Sequence, residues 1–153
     1  MARRHGARID TLQLGLDDPE ALREALRARL GGTPLAGVFH CAAVLDDQPF
    51  AAQAWEAARE VLRPKGAGAW HLHRATLGQP LDHFVVFSSL SALLGQPGQA
   101  AYALANALAE AVVERRRACG LPEDRASGPA RRGRRGMRWV TQLRYIFKLT
   151  LIC

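Results

Sequence analysis

Apolar side chains recur along the chain at two spacings, and the alternation between them predicts the order of the elements. Arg8 to Leu14 alternates apolar and polar residues, with Ile9, Leu12 and Leu14 on the apolar side, the two-residue period of a short strand. Leu22, Leu26 and Leu30 then recur every four residues, the stripe of an amphipathic helix. Asp18, Pro19 and Glu20 mark its start with a cap, a proline at the first helical position and an acid at the positive end of the dipole. Gly31-Gly32 ends it, where a left-handed residue is needed.

Leu35 to Ala43 is an unbroken apolar run entered from a Gly-Gly-Thr-Pro turn, as in a strand buried on both faces. Helical composition resumes from Ala52 to Leu62 and continues to Leu77, with Pro64 and Gly66 between, so a kink or break is expected at Pro64. Asp82 to Phe87 is a further buried strand, with Ser88 and Ser89 at its carboxyl end. After a loop holding Gly95, Pro97 and Gly98, Gln99 to Ala118 forms a long helix stopped by Gly120 and Pro122. Strand and helix alternating three times predict an α/β fold with a parallel sheet and helices on its faces. Ligands of such sheets bind beyond the carboxyl ends of the strands, which directs attention to Ser89 and to the loop from Ala42 to Asp47.

Composition changes this picture at one end. The net charge of +7 is uneven: residues 1–122 carry 13 Lys or Arg against 12 Asp or Glu, whereas residues 123–153 carry 8 against 2. A nearly neutral body is thus followed by a basic tail, with Arg131, Arg132, Arg134 and Arg135 clustered and an apolar stretch from Leu143 to Cys153. Such a tail is most simply a solvated segment; its alternatives are contact with nucleic acid or with an anionic membrane surface. Cys41, Cys119 and Cys153 are odd in number and widely spaced, so neither a disulfide framework nor a metal site is expected. The polar start and the lack of a run of roughly 18 apolar residues predict a cytoplasmic setting.

The candidate chemistry rests on Lys65, Ser89, Tyr102 and Asn106. Tyr102 and Asn106 stand four apart on one helix face, and Ser89 closes a strand thirteen residues before the tyrosine. Taken singly each has a plain structural reading: the serine as a cap of the next turn, the tyrosine as half-buried packing, the lysine as a solvated charge. Together they lie in a longer pattern, namely GVFHCAAVLDD from Gly37 to Asp47, PKGAGAWHL from Pro64 to Leu72, FSS from Phe87 to Ser89 and GQAAYALAN from Gly98 to Asn106. From Ala2 to Pro122 the chain resembles the ketoreductase domain of polyketide synthases and animal fatty acid synthase, a branch of the short-chain dehydrogenase/reductases. In that branch the lysine precedes the serine and an asparagine follows the tyrosine by four, as here.

The resemblance implies NADPH-dependent reduction of a β-ketoacyl thioester held by an acyl carrier protein, with the remainder of a synthase as partner. Tyr102 would be the proton donor, Ser89 a hydrogen-bond donor to the carbonyl oxygen, Lys65 the cation that favours the tyrosine anion, and Asn106 the residue that positions the lysine and a water. A free tyrosine titrates near about 10, which is why the cation is needed. The cofactor contacts would fall on His40, Ala42, Ala43, Lys65 and Tyr102. Leu45-Asp46-Asp47 matches a motif for a D-configured hydroxyl product, with Asp47 the residue to watch; its structural alternative is a cap for the helix after Pro49.

The chain departs from the family at both ends. No G-x-G-x-x-G occurs, Gly15 stands where an acid is usual and Ala43 where a glycine is common. The fold expected is therefore an incomplete Rossmann-like doubly wound sheet lacking the first two strands and the Gly-rich loop, over residues 1–122, followed by an irregular basic tail over 123–153. On this expectation the strand at Leu35 to Ala43 either pairs with the first strand or keeps an open edge, and the isolated chain does not bind NADPH at micromolar concentration. The competing expectation is a non-catalytic fragment that acts by association with another chain or through its tail.

Overall fold

A computed structural model describes residues 11–125. The tail features at Arg131 to Arg135 and Leu143 to Cys153 lie outside the described residues, as do residues 1–10.

Helix α1 spans Pro19–Leu30, as the spacing predicts. The Asp18 carboxylate accepts from the backbone N–H groups of Glu20 and Ala21, and Gly31 closes the helix at φ 53°, returning its N–H to the Arg27 carbonyl. Only a left-handed residue turns the chain there, and glycine adopts that conformation without a Cβ clash. Replacing Asp18 by Ala leaves two donors to water alone; the expected cost is about 1 kcal/mol, read as a lowered urea midpoint.

Strand β1 is Gly37–His40 and β2 is His83–Val86; they pair in parallel with Val38 opposite Phe84 and His40 opposite Val86. A third strand, β3 at Asp124–Arg125, lies parallel on the other side of β2, giving the order β1-β2-β3. Thr11 to Leu14 forms no strand, and the rest of the expected Arg8 to Leu14 strand lies outside the described residues. An extended segment becomes a strand only when a neighbour takes its backbone groups, and among the described residues none pairs with it; Leu14 packs against the core instead. The edge of β1 away from β2 is likewise unpaired among the described residues.

Between β1 and β2 an irregular loop over residues 41–49 leads into helical segments of three different pitches. A 3-10 turn at Phe50–Ala52 precedes α2 (Trp55–Leu62), a π turn at Arg63–Ala67 and α3 (Gly68–Ala75). The interruption expected at Pro64 takes the form of that π turn. A proline has no N–H for the carbonyl four residues back, and here the ladder widens, so that the Gly68 N–H reaches the Arg63 carbonyl. After β2, a four-residue helix α4 (Ser91–Leu94) precedes α5 (Ala100–Ala118), and Gly120 ends α5 at φ 67°.

The main core lies among α1, β1, α3, β2 and α5: Leu22, Leu26 and Leu30 meet Val38, Leu72, Phe84, Val86, Val112 and Val113. Beneath it Arg116 is buried over the Phe84 ring, 4.2 Å from its centroid. Its Nε donates to the Pro122 carbonyl at 2.8 Å and its Nη1 donates to His73 Nδ1 at 3.1 Å. This guanidinium fixes the turn that delivers β3 to the sheet. Arg116→Met keeps the apolar stem but abandons both acceptors. It is expected to cost about 2 kcal/mol, with faster amide exchange at Asp124 and Arg125 than elsewhere in the sheet.

Candidate active site

The residues singled out in the sequence lie on the π turn, on the segments that follow β1 and β2, and on the amino-terminal half of α5, with His40 closing β1. The π turn sets Lys65 inward: the side chain is buried, and its Nζ donates to the Phe87 carbonyl at 2.7 Å, just beyond β2. π turns are over-represented at functional sites because they swing one side chain out of helical register. Gly66 makes this possible on the other side, since a Cβ there would stand 3.1 Å from the Leu108 side chain of α5. Burial pushes the Lys65 ammonium below its ordinary range, while the neighbouring Cys41 acts in the opposite direction. The Cys41 thiol, half-buried, is itself pushed up by burial.

Ser89 follows two residues after the carbonyl that holds the lysine. Its Oγ accepts from the Ser91 N–H at 3.2 Å and from the Ser91 hydroxyl at 2.9 Å, so it does cap the next turn. A hydroxyl has two acceptor lone pairs and one O–H. With both lone pairs engaged, what Ser89 has left to offer is the donor. The adjacent Ser88 hydroxyl donates to the Glu110 carboxylate, tying the strand end to α5.

Tyr102 is half-buried and packs with Val61, Ala101 and Ala105 between α2 and α5. Asn106 is buried one turn later. Its Nδ2 donates to the Tyr102 carbonyl at 2.8 Å, while its Oδ1 is buried without a hydrogen-bond partner. α5, which bears Tyr102 and Asn106, packs against the π turn that bears Lys65 and against β2 and α4, the two elements on either side of Ser89.

Asp47 does not cap the turn after Pro49, which has no side-chain cap. Its Oδ2 accepts from Gln99 Nε2 at 2.9 Å, and the Gln48 N–H donates to the Gly98 carbonyl at 2.9 Å. Two bonds thus lash the Leu45-Asp46-Asp47 loop to the entrance of α5. Ala42 and Ala43 are half-buried at the end of β1. The His40 side chain is fully buried and turned away from solvent, with Nε2 2.9 Å from the Lys65 carbonyl.

Three contacts of this site escape sequence reasoning: His40 to Lys65, Gln99 to Asp47 and Ser88 to Glu110. Only Glu110 had a signal, since Tyr102, Asn106 and Glu110 recur every four residues along α5. Among the described residues no group of three His, Cys, Asp or Glu is placed to hold a metal ion, and no helix is long and apolar enough to cross a membrane.

These elements are those of a known family. The family model described as the KR domain matches residues 1–125. Over 118 residues, 76% of this chain, the sequence is 42% identical to a phenolphthiocerol/phthiocerol polyketide synthase of Mycobacterium tuberculosis, covering 5% of that protein. The first ketoreductase of the tylosin polyketide synthase superposes with a TM-score of 0.73 at 39% identity, over 80% of this chain and 26% of that one. PlmKR1, the ketoreductase from the first module of phoslactomycin biosynthesis in Streptomyces sp. HK803, gives 0.74 at 33% identity over 80% and 28%. The fold is thus the α/β architecture of polyketide synthase ketoreductases, of which the chain holds a part. It belongs to the KR domain family.

Proposed function

We propose that the chain contributes the reductive half-site of a ketoreductase that converts a carrier-protein-bound β-ketoacyl thioester to its β-hydroxyacyl form. The observation that carries this reading is the buried Lys65 ammonium bonded at the strand end that leads into Ser89, in a chain of the KR family. The residues present fit the ribose end of NADPH. Lys65 has three N–H groups and gives one to Phe87, which leaves two for ribose hydroxyls. NADPH, when bound, supplies the hydride.

Reduction leaves negative charge on the substrate oxygen, and that charge must meet a proton and a hydrogen bond. Tyr102 gives the proton from its hydroxyl. Ser89 donates its remaining O–H to the same oxygen, its lone pairs already being held by Ser91. Lys65 stabilises the charge left on the tyrosine oxygen. The unpaired Oδ1 of Asn106 takes a hydrogen bond from the water that returns a proton to Tyr102. Asp47, held by Gln99, shapes the face on which the substrate lies and so the configuration of the product.

The test is a complete polyketide ketoreductase in which residues 1–125 of this chain replace their counterpart. The folded hybrid should consume NADPH only when a β-ketoacyl thioester is present. A folded hybrid that binds NADPH but leaves the ketone unreduced contradicts the proposal.

One observation favours a second reading, action by association with another chain: the outer edge of β1 is unpaired among the described residues. On that reading the 153-residue chain sediments as an oligomer or binds a partner strand while reducing nothing; a monomer at all concentrations rules it out.

A further inference from the structure

Lys65 reaches the strand end because its backbone is held off the ordinary helical path, and the π turn that does this needs support from outside the helix. We propose that His40 is the positioning residue for Lys65: its buried imidazole grips the Lys65 carbonyl from the end of β1 and fixes the π turn that aims the lysine. The bearing of this on catalysis rests on the role given to Lys65 above, whereas the structural inference does not.

His40 closes β1 and is fully buried, and its Nε2 lies 2.9 Å from the Lys65 carbonyl. A carbonyl only accepts, so Nε2 carries the proton and Nδ1 carries a lone pair. Nδ1 is buried and finds no partner, so the ring has one hydrogen bond and that bond ends on the π turn. An aliphatic residue would fill such a core position without leaving a polar atom unpaired; what the imidazole adds is the donor. The same residue's backbone carbonyl accepts from the Phe87 N–H at 3.1 Å, and the Phe87 carbonyl in turn accepts from Lys65 Nζ. His40 therefore holds both the backbone of Lys65 and the strand end on which its ammonium rests. The ring also lies against α3 at Gly68, where a Cβ would stand 3.4 Å from His40 Cε1 and a tighter 3.1 Å from the Leu16 side chain. Burial accounts for an imidazole that resists protonation until about pH 4, so the donor geometry persists at neutral pH.

The chain holds two lysines, Lys65 and Lys148, so amine acetylation followed by mass spectrometry reads Lys65 directly with Lys148 as internal reference. In the full 153-residue chain, His40→Phe should raise the Lys65 acetylation rate about tenfold, the size expected of one lost hydrogen bond. Amide protection across β2 should be unchanged. His40→Gln, whose Nε2 can donate at the same place, should restore slow acetylation. Equal Lys65 rates in the three proteins, or a Gln variant as fast as the Phe variant, overturn the proposal. Imidazole 15N shifts in the unaltered chain decide the matter independently if His40→Phe loses β2 protection. A proton on Nε2 with a bare Nδ1 at pH 7 supports the proposal, and a proton on Nδ1 overturns it. None of these readouts requires NADPH or a ketone, so a failure here is separate from a failure of the ketoreductase reading.

Discussion

Changing Tyr102 to Phe in the hybrid ketoreductase is expected to lower turnover by about 10² to 10⁴, the range that a positioned proton donor contributes. The substitution removes one oxygen and keeps the ring that packs with Val61, Ala101 and Ala105, so stability and NADPH affinity should change little. A fall in kcat and in kcat/KM by the same factor is the signature of an interaction made only in the transition state. Turnover within threefold of the unaltered hybrid, on the order of less than 1 kcal/mol in barrier, would remove Tyr102 from the reaction.

The second large effect is on stability in acid. A buried imidazole whose folded pKa lies near 4 and whose unfolded value is 6.5 is charged in the unfolded chain well before it is charged in the folded one. The unfolded state then binds more protons, so stability falls as pH drops below about 6.5 and levels off below the folded value. At about 1.4 kcal/mol per pH unit, His40 alone removes about 3 kcal/mol between pH 7 and pH 4. His73 adds in the same direction: burial chiefly, then the Arg116 and Arg115 guanidinium groups, hold it below its ordinary value. Urea unfolding at pH 7 and pH 4 measures the drop, and His40→Gln should flatten it. An unaltered pH dependence in that variant would mean that His40 is not the group responsible.

Much of the fold was legible in the chain because it is written in local chemistry. Asp18-Pro19 and Gly31 bound α1 within the sequence itself, and the apolar runs through Val38 and Phe84 announce strands buried on both faces. α5 ends where Gly120 allows a positive φ. What escaped depends on partners far along the chain. Pro64 signals an interruption, but the widened turn that forms there has its next residue, Lys65, bonded to His40, 25 positions before it, and to Phe87, 22 positions after it, and no local pattern announces either contact. α4 is too short for a hydrophobic period to show. Arg8 to Leu14 alternates as a strand does, yet alternation supplies no neighbour.

The candidate site divides in the same way. Tyr102 and Asn106 share a helix face by spacing alone, and Ser89 stands at a strand end by its place after an apolar run. That Ser89 is left as a donor, and that Asp47 answers to Gln99 rather than to the turn after Pro49, follows from side-chain contacts that no spacing encodes.

The most direct measurement is the fate of the hydride. The hybrid ketoreductase, supplied with NADPH deuterated at the transferring position of the nicotinamide and with a β-ketoacyl thioester, should yield a β-hydroxyacyl product one deuterium heavier at the β-carbon. Tyr102→Phe should abolish most of that labelled product. A folded, NADPH-binding hybrid that returns the β-ketoacyl thioester unlabelled and unreduced would contradict the assignment of Lys65, Ser89, Tyr102 and Asn106 to ketone reduction.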